Sequence, residues 1–140
     1  MKYTKIIIAI TCLCLISCKY KKTPRLILSK YIYNFGIVEE GTVCSGFVKV
    51  YNKGNDYLHI RNFSSDCGCT KVFINKNSIA EGDSAILQFS IDTSHKLGDV
   101  EYNAVIEANT DSILHFVRLL IHVKEKHNSN KLLQKHSNVL

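Results

Sequence analysis

The residue pattern between positions 31 and 124 constrains the fold most strongly. Short runs of β-forming residues recur at spacings of about ten residues, and turn-forming residues separate them. Along residues 43–51, for example, Cys44 and Val48 fall on one face of a strand, whereas Val43 and Phe47 fall on the other. Seven or eight such strands predict an all-β fold, an immunoglobulin-like antiparallel β-sandwich.

Glycine, asparagine and acidic residues mark the ends of these runs. The predicted strands cover residues 31–35, 43–51, 57–63, 71–74, 84–91, 100–108 and 113–123. The first strand is expected to end at Gly36, and Asn52-Lys53-Gly54 predicts a turn because Asn and Gly accept positive φ. Residues 125–140 are polar with few apolar side chains, so we expect a solvated, disordered tail.

The N-terminal segment is typical of a secretion signal. Lys2 and Lys5 precede an apolar run at residues 6–16, which is too short to span a bilayer core of about 30 Å. The run ends in Leu15-Ile16-Ser17-Cys18, which resembles the lipobox of bacterial lipoproteins. This resemblance implies a signal peptide at residues 1–17, lipidation of Cys18 and a basic membrane tether at residues 18–30. An ordinary secretory signal and a short membrane anchor are the alternatives.

The net charge of the mature chain indicates which partners it is expected to bind. The formal net charge is +6, and removal of Lys2 and Lys5 leaves 16 basic and 12 acidic side chains, a net charge of +4. Four of the basic residues crowd the start of the mature chain: Lys19, Lys21, Lys22 and Arg25. The rest is nearly balanced, which excludes a polybasic nucleic-acid surface. Because no acidic run follows Cys18, we expect a lipid-anchored protein facing the periplasm rather than the cell surface.

Cys67-Gly68-Cys69 is the one motif that carries reactive chemistry. A disulfide between these cysteines would close a very small loop, so it would stabilise the fold little and be easily reduced. The same pair of thiolates could bind a soft ion such as Cu(I). A passive structural turn is the third interpretation, and thus redox exchange, soft-metal binding and structure all stay open. No other cofactor is expected.

Few other residues near this motif could bind a metal ion or form a disulfide with its cysteines. Tetrahedral zinc would need two further ligands, and His59, Asp66 and Cys44 are the only nearby candidates. Asp66 places negative charge beside the thiols, which would raise their pKa. Cys44 shares a strand face with Val48, so we expect a buried core residue; a cross-sheet bridge to Cys67 or Cys69 is the alternative.

No arrangement of residues indicates a catalytic site. The six histidines are scattered, and no Ser-His-Asp or Cys-His order suggests a nucleophile. Two segments, Asp83-Ser84-Ala85 and Asp111-Ser112-Ile113, resemble the O-glycosylation acceptor motif of Bacteroidetes, which makes Ser84 and Ser112 candidate modification sites.

A family resemblance runs through most of the mature chain. It is carried, in order, by Phe35-Gly36-Ile37, Gly41, Asn52-Lys53-Gly54, Leu58-His59-Ile60, Cys67-Gly68-Cys69-Thr70, Gly82, Asp92-Thr93, Gly98 and Asn109-Thr110-Asp111. These residues resemble a bacterial domain of unknown function, number 1573, common in secreted and lipid-anchored proteins of Bacteroidetes-type bacteria. Two positions depart from the family pattern, which usually has Ser at Asp66 and Pro at Glu81.

The resemblance implies an immunoglobulin-like sandwich outside the cytoplasm and no established activity. Because fold alone does not give function, the side chains of this sequence must decide between the candidate functions. We expect a non-catalytic interaction module of the cell envelope with a protein partner. The alternative is a thiol-disulfide redox or Cu(I)-binding protein that uses Cys67 and Cys69.

Overall fold

All seven predicted runs are strands in the structure, a computed structural model that describes residues 21–127. Two further short strands bring the number in this range to nine. The strands are β1 (Leu26–Leu28), β2 (Ile32–Glu39), β3 (Val43–Asn52), β4 (Leu58–Ser65), β5 (Thr70–Ile74), β6 (Ser78–Ile79), β7 (Ser84–Asp92), β8 (Gly98–Ala108) and β9 (Leu114–Lys124). Within residues 21–127 no helix is long and apolar enough to cross a membrane.

The strands form two sheets, which confirms the predicted all-β sandwich. One sheet has the order β1-β3-β7-β5 and the other the order β2-β9-β8-β4-β6. Neighbouring strands are antiparallel except β2 and β9, which run parallel, a pair that the predicted antiparallel arrangement did not include. Parallel neighbours need a long connection between them, and here β3 to β8 provide it.

The core lies between the sheets and is built from alternate residues of the long strands. Leu87 and Ile91 of β7 are fully buried, and so are Val117 and Leu119 of β9. In β3, the face that carries Cys44, Val48 and Val50 is buried, as its alternation predicted. These strands were predictable because one face of each meets the core while the other meets solvent.

Two boundaries predicted from the sequence are wrong. The sandwich begins before residue 31, because Leu26 and Leu28 of β1 are buried and pair with the end of β3. Three residues are too few to show alternation, which is why the sequence assigned them to the tether. Gly36 does not end β2; it has a φ of +74° at a register shift, and the strand continues to Glu39.

Loops collect at two ends of the sandwich. We call one the cysteine end; it carries loop residues 40–42, 66–69 and 93–97. A bond from Asp92 N–H to the Cys69 carbonyl (3.0 Å) joins the end of β7 to the cysteine loop. We call the other the Asn52 end; it carries residues 53–57, 80–83 and 109–113. Cys18, the predicted signal peptide at residues 1–17 and residues 128–140 of the predicted tail lie outside the described residues.

Candidate functional site

The Cys67-Gly68-Cys69 motif lies where the chain crosses from one sheet to the other. Strand β4 of the five-stranded sheet ends at Ser65, and β5 of the four-stranded sheet begins at Thr70. Cys67 and Cys69 form a disulfide with a Cα–Cα distance of 5.2 Å, which is within the usual range. Both cysteines are half-buried, and Gly68 between them is exposed with open space around its Cα.

Hydrogen bonds fix this loop to both sheets. The two carboxylate oxygens of Asp66 accept bonds from the backbone N–H (2.9 Å) and the side-chain amide (2.8 Å) of Asn103 on β8. On the other side, Thr70 N–H donates to the Cys67 carbonyl (3.0 Å). Asp66 therefore holds the loop in place, a role that depends on a contact 37 residues away and that the sequence did not indicate.

The structure does not bring further metal ligands to the two cysteines. His59 lies at the start of β4, near the opposite end of the sandwich, and Cys44 points into the core. Within residues 21–127 no three His, Cys, Asp or Glu side chains are grouped so that they could hold a metal ion. Any metal bound here would have Cys67 and Cys69 as its protein ligands, after reduction of their disulfide.

Cys44 is a buried core residue, as predicted. It is only 7% exposed, and burial raises the pKa of its thiol because the thiolate would lose hydration. Its neighbour across β3 and β7 is Ile91, and the neighbour of Ile91 on β5 is Thr70. Two strand spacings amount to about 10 Å, beyond the reach of a disulfide, so the alternative bridge to the motif is not formed.

The thiol count gives a direct test of this arrangement. Alkylation of denatured residues 19–140 without reductant is expected to label Cys44 alone, and after reduction to label Cys44, Cys67 and Cys69. Because the closed loop is so small, the double variant Cys67→Ser/Cys69→Ser should lose only about 1.5 kcal/mol of unfolding free energy. Intact mass and urea unfolding measure both effects; three labelled thiols without reductant would contradict the disulfide.

The outer face of the four-stranded sheet carries a second candidate site. Phe47, Gln88 and Phe73 lie directly opposite one another on β3, β7 and β5; we call them the phenylalanine row. Phe47 is 56% exposed and Phe73 is 55% exposed. They border a shallow groove of about 460 Å³ that is also lined by Lys71. The alternation in β3 predicted that Phe47 points outward, but the row depends on registers that the sequence does not show.

Charge distinguishes the two outer faces. On the five-stranded sheet Arg118 pairs with Glu101 (2.7 Å), and Lys124 pairs with Glu39 (3.4 Å). On the four-stranded sheet Lys71 is exposed beside the phenylalanine row and has no salt-bridge partner among residues 21–127. The face around the row is therefore apolar with basic side chains beside it, and the acidic Asp92 lies at the cysteine end of the same face.

The two candidate glycosylation sites differ in accessibility. Ser112 is exposed in the turn before β9, and its carbonyl accepts a bond from the Thr110 hydroxyl (2.7 Å). Ser84 is the first residue of β7 and is half-buried opposite Tyr51. Ser112 is the better placed of the two for a bulky group, and modification of either serine stays a prediction.

His115 lies in an environment that perturbs its pKa. It is half-buried on β9, its Nε2 lies 2.7 Å from the Thr110 hydroxyl, and burial lowers its pKa below the usual 6.5. Between the lowered pKa and 6.5 the unfolded chain binds more protons, so unfolding free energy should fall as pH drops from about 7 through this window. We expect His115→Gln to reduce that slope in urea unfolding at several pH values; an unchanged slope would contradict the assignment.

Comparison with known proteins identifies relatives by sequence and by fold. Residues 26–123 match the sequence profile described as "Protein of unknown function (DUF1573)". No curated protein matches the chain. A protein of unknown function from Porphyromonas gingivalis W83 has a similar structure, with a TM-score of 0.64 and 13% identity over 76% of this chain and 50% of that one. The chain thus corresponds to half of that protein's length.

Two further structures show the type of sandwich. The ASH / PapD-like domain 7 of human CEP192 is similar with a TM-score of 0.57 and 11% identity, over 79% of this chain and 93% of that one. The VesB protease of Vibrio cholerae is similar with a TM-score of 0.56 and 16% identity, over 69% of this chain and 31% of that one. At these identities the similarity shows the fold alone, and the immunoglobulin-like prediction is confirmed as an immunoglobulin/PapD-like sandwich.

Proposed function

This chain belongs to the DUF1573 family of proteins of unknown function, and on that premise we propose that it is a non-catalytic interaction module of the bacterial cell envelope. A lipid on Cys18 attaches it to a membrane, and the sandwich faces the periplasm. The lipobox-like Leu15-Ile16-Ser17-Cys18 supports the anchor. Exposed apolar side chains on a regular, well-packed sandwich support a binding role.

The observation that carries this proposal is the phenylalanine row. Two phenylalanine side chains, each more than half exposed and separated only by Gln88, leave apolar area that a partner protein would cover. Lys49 and Lys71 are exposed on the same face. The partner surface that fits is therefore apolar and bordered by carboxylates, since unlike charges at the rim of an interface favour encounter.

A photo-crosslinking amino acid in place of Phe73 tests the proposal in living cells. We expect the native lipid-anchored chain to form one discrete adduct with an envelope protein when the probe stands at Phe73. The matched control places the same probe at Phe116, an exposed aromatic on the outer face of the other sheet (47% exposed). The charge-reversal variant Lys49→Glu/Lys71→Glu should weaken the Phe73 adduct.

The outcomes separate the proposal from chance contact. An adduct at Phe73 that is absent at Phe116 supports a binding face on the four-stranded sheet. Equal adducts at both positions, or none at Phe73, would reject it.

The disulfide favours one alternative function, thiol-disulfide exchange. A thiolate of a dithiol partner would attack one sulfur of the Cys67–Cys69 bond, form a mixed disulfide and release the other cysteine as a thiolate. A second partner thiolate would then displace the first cysteine, leaving the partner oxidised and both cysteines reduced. Exchange should be lost in Cys67→Ser with the fold intact. The reduced pair would also be the site for Cu(I), whose uptake Cys44→Ala should not affect.

A further inference from the structure

Residues 23–25, within the predicted tether, are hydrogen-bonded to the Asn52 end of the sandwich. Thr23 and Asn55 are joined twice, from Thr23 N–H to Asn55 Oδ1 (2.8 Å) and from Asn55 N–H to the Thr23 carbonyl (3.1 Å). Lys53 N–H donates to the Arg25 carbonyl (2.8 Å), and Arg25 N–H reaches Asn52 Oδ1 (3.4 Å). The start of the domain is therefore fixed relative to the sandwich from Thr23 onward.

Gly54 brings this segment into direct backbone contact with the turn. A Cβ added at Gly54 would stand 2.5 Å from Arg25 N and 2.7 Å from the Pro24 carbonyl carbon. Only a residue without a side chain allows the two backbones to approach so closely. Residues 23–25 therefore pack backbone to backbone against the turn at residues 52–55.

The length of the free tether limits how far this end can be from a membrane. Four residues, 19–22, separate Cys18 from Thr23. Even fully extended, the chain from Cys18 to Thr23 covers at most about 18 Å. A lipid on Cys18 would therefore hold the Asn52 end close to the bilayer surface. The cysteine end lies about 30 Å from the Asn52 end, along the ten residues of β3.

Basic side chains cluster where the tether meets the sandwich. Lys21, Lys22, Arg25 and Lys53 are all exposed there. Lys21, Arg25 and Lys53 line one open hollow together with Glu81. Asp83 pairs with Lys76 (2.9 Å), and the remaining acidic side chains of this end are Asp56 and Asp111. The four basic residues therefore outnumber Glu81, Asp56 and Asp111.

We propose that the Asn52 end is a membrane-facing surface that binds anionic phospholipid headgroups, so that the cysteine end points away from the bilayer. This inference rests on the proposed lipid anchor at Cys18. Each basic residue near an anionic surface favours attachment by about fivefold, and four act together here. The phenylalanine row then faces sideways, parallel to the membrane, where a neighbouring membrane protein could reach it.

Energy transfer to labelled lipid headgroups tests the orientation. The mature lipidated chain is reconstituted in vesicles of phosphatidylethanolamine and phosphatidylglycerol, with a dye in place of Ile113 at the Asn52 end or Leu97 at the cysteine end. Both side chains are exposed, by 54% and 62%. We expect clearly stronger transfer from position 113, in accord with a height difference of about 30 Å.

Charge variants test the role of the headgroups. A variant with glutamine at the four basic positions should stay anchored but show a clearly smaller difference between the two dyes, because the short tether alone still limits the height of the Asn52 end; its changes are Lys21→Gln, Lys22→Gln, Arg25→Gln and Lys53→Gln. A control with four glutamines elsewhere should keep the difference; its changes are Lys49→Gln, Lys71→Gln, Lys96→Gln and Lys126→Gln. An unchanged difference in the first variant would overturn headgroup binding.

Different results would reject the proposed orientation and the proposed lipid anchor. A lipidated protein with equal transfer from both positions, or stronger transfer from position 97, would overturn the orientation and leave the anchor intact. An intact mass without acyl chains on Cys18 would instead reject the anchor itself.

Discussion

Asn52→Ala is expected to lower the free energy of unfolding by roughly 3 kcal/mol or more. The Asn52 side chain is fully buried, and its amide donates to the carbonyls of Asp56 (2.7 Å) and Ile79 (3.0 Å). Its Oδ1 accepts from Gly54 N–H (3.0 Å) and Arg25 N–H (3.4 Å). Alanine leaves the Ile79 carbonyl buried and unpaired, which costs about 1–3 kcal/mol. The other three bonds are part-buried, and their loss adds about 0.5–1 kcal/mol each.

Urea unfolding measures this loss, and Asn75→Ala is the matched control. Asn75 is exposed, and its Oδ1 accepts a single bond, from Ile86 N–H (2.8 Å), so the same chemical change there should cost about 1 kcal/mol or less. Asn52→Asp should be at least as destabilising as Asn52→Ala, because it removes both donors and buries a charge. Equal losses at positions 52 and 75 would contradict the assigned role of Asn52.

Asn52 also shows where sequence reasoning ends in this protein. The sequence identified Asn52 as part of a turn, which is a local property, and the turn is present. It could not show that one amide joins the residue before β1, the end of β3 and the end of β6, because Arg25 and Ile79 are each 27 residues away. The long strands were predictable because alternation is local as well, whereas β1 and β6 exist only through their partners.

In the candidate sites, too, local features were predictable from the sequence and long-range features were not. The pairing of Cys67 with Cys69 was one of the expected alternatives because the two residues are neighbours in sequence. The anchoring of their loop by Asp66 and Asn103 was not, and neither was the phenylalanine row, since both depend on the register between strands. The parallel pairing of β2 with β9 is a further long-range feature that no local pattern indicates.

The second large effect is expected at Gly54, where Gly54→Ala should lower the free energy of unfolding by about 2–3 kcal/mol. The sequence suggested that Gly54 provides positive φ, but its φ is not in that region; its requirement is space. The new methyl group would meet backbone atoms of Thr23, Pro24 and Arg25, which cannot rotate away as a side chain can. The segment must therefore leave the turn.

Limited proteolysis measures the release of residues 23–25 from the turn. Trypsin should cut after Arg25 faster in Gly54→Ala than in the wild type, because the Arg25 carbonyl loses its bond from Lys53 N–H. Gly68→Ala is the control: Gly68 has open space around its Cα, so the change should stay within about 0.5 kcal/mol and leave cleavage at Arg25 unaltered. Unchanged cleavage in Gly54→Ala would mean that the segment is held by other contacts. If cleavage does increase, the free tether lengthens beyond Thr23, and the fixed orientation of the sandwich on the membrane should be lost in the same variant.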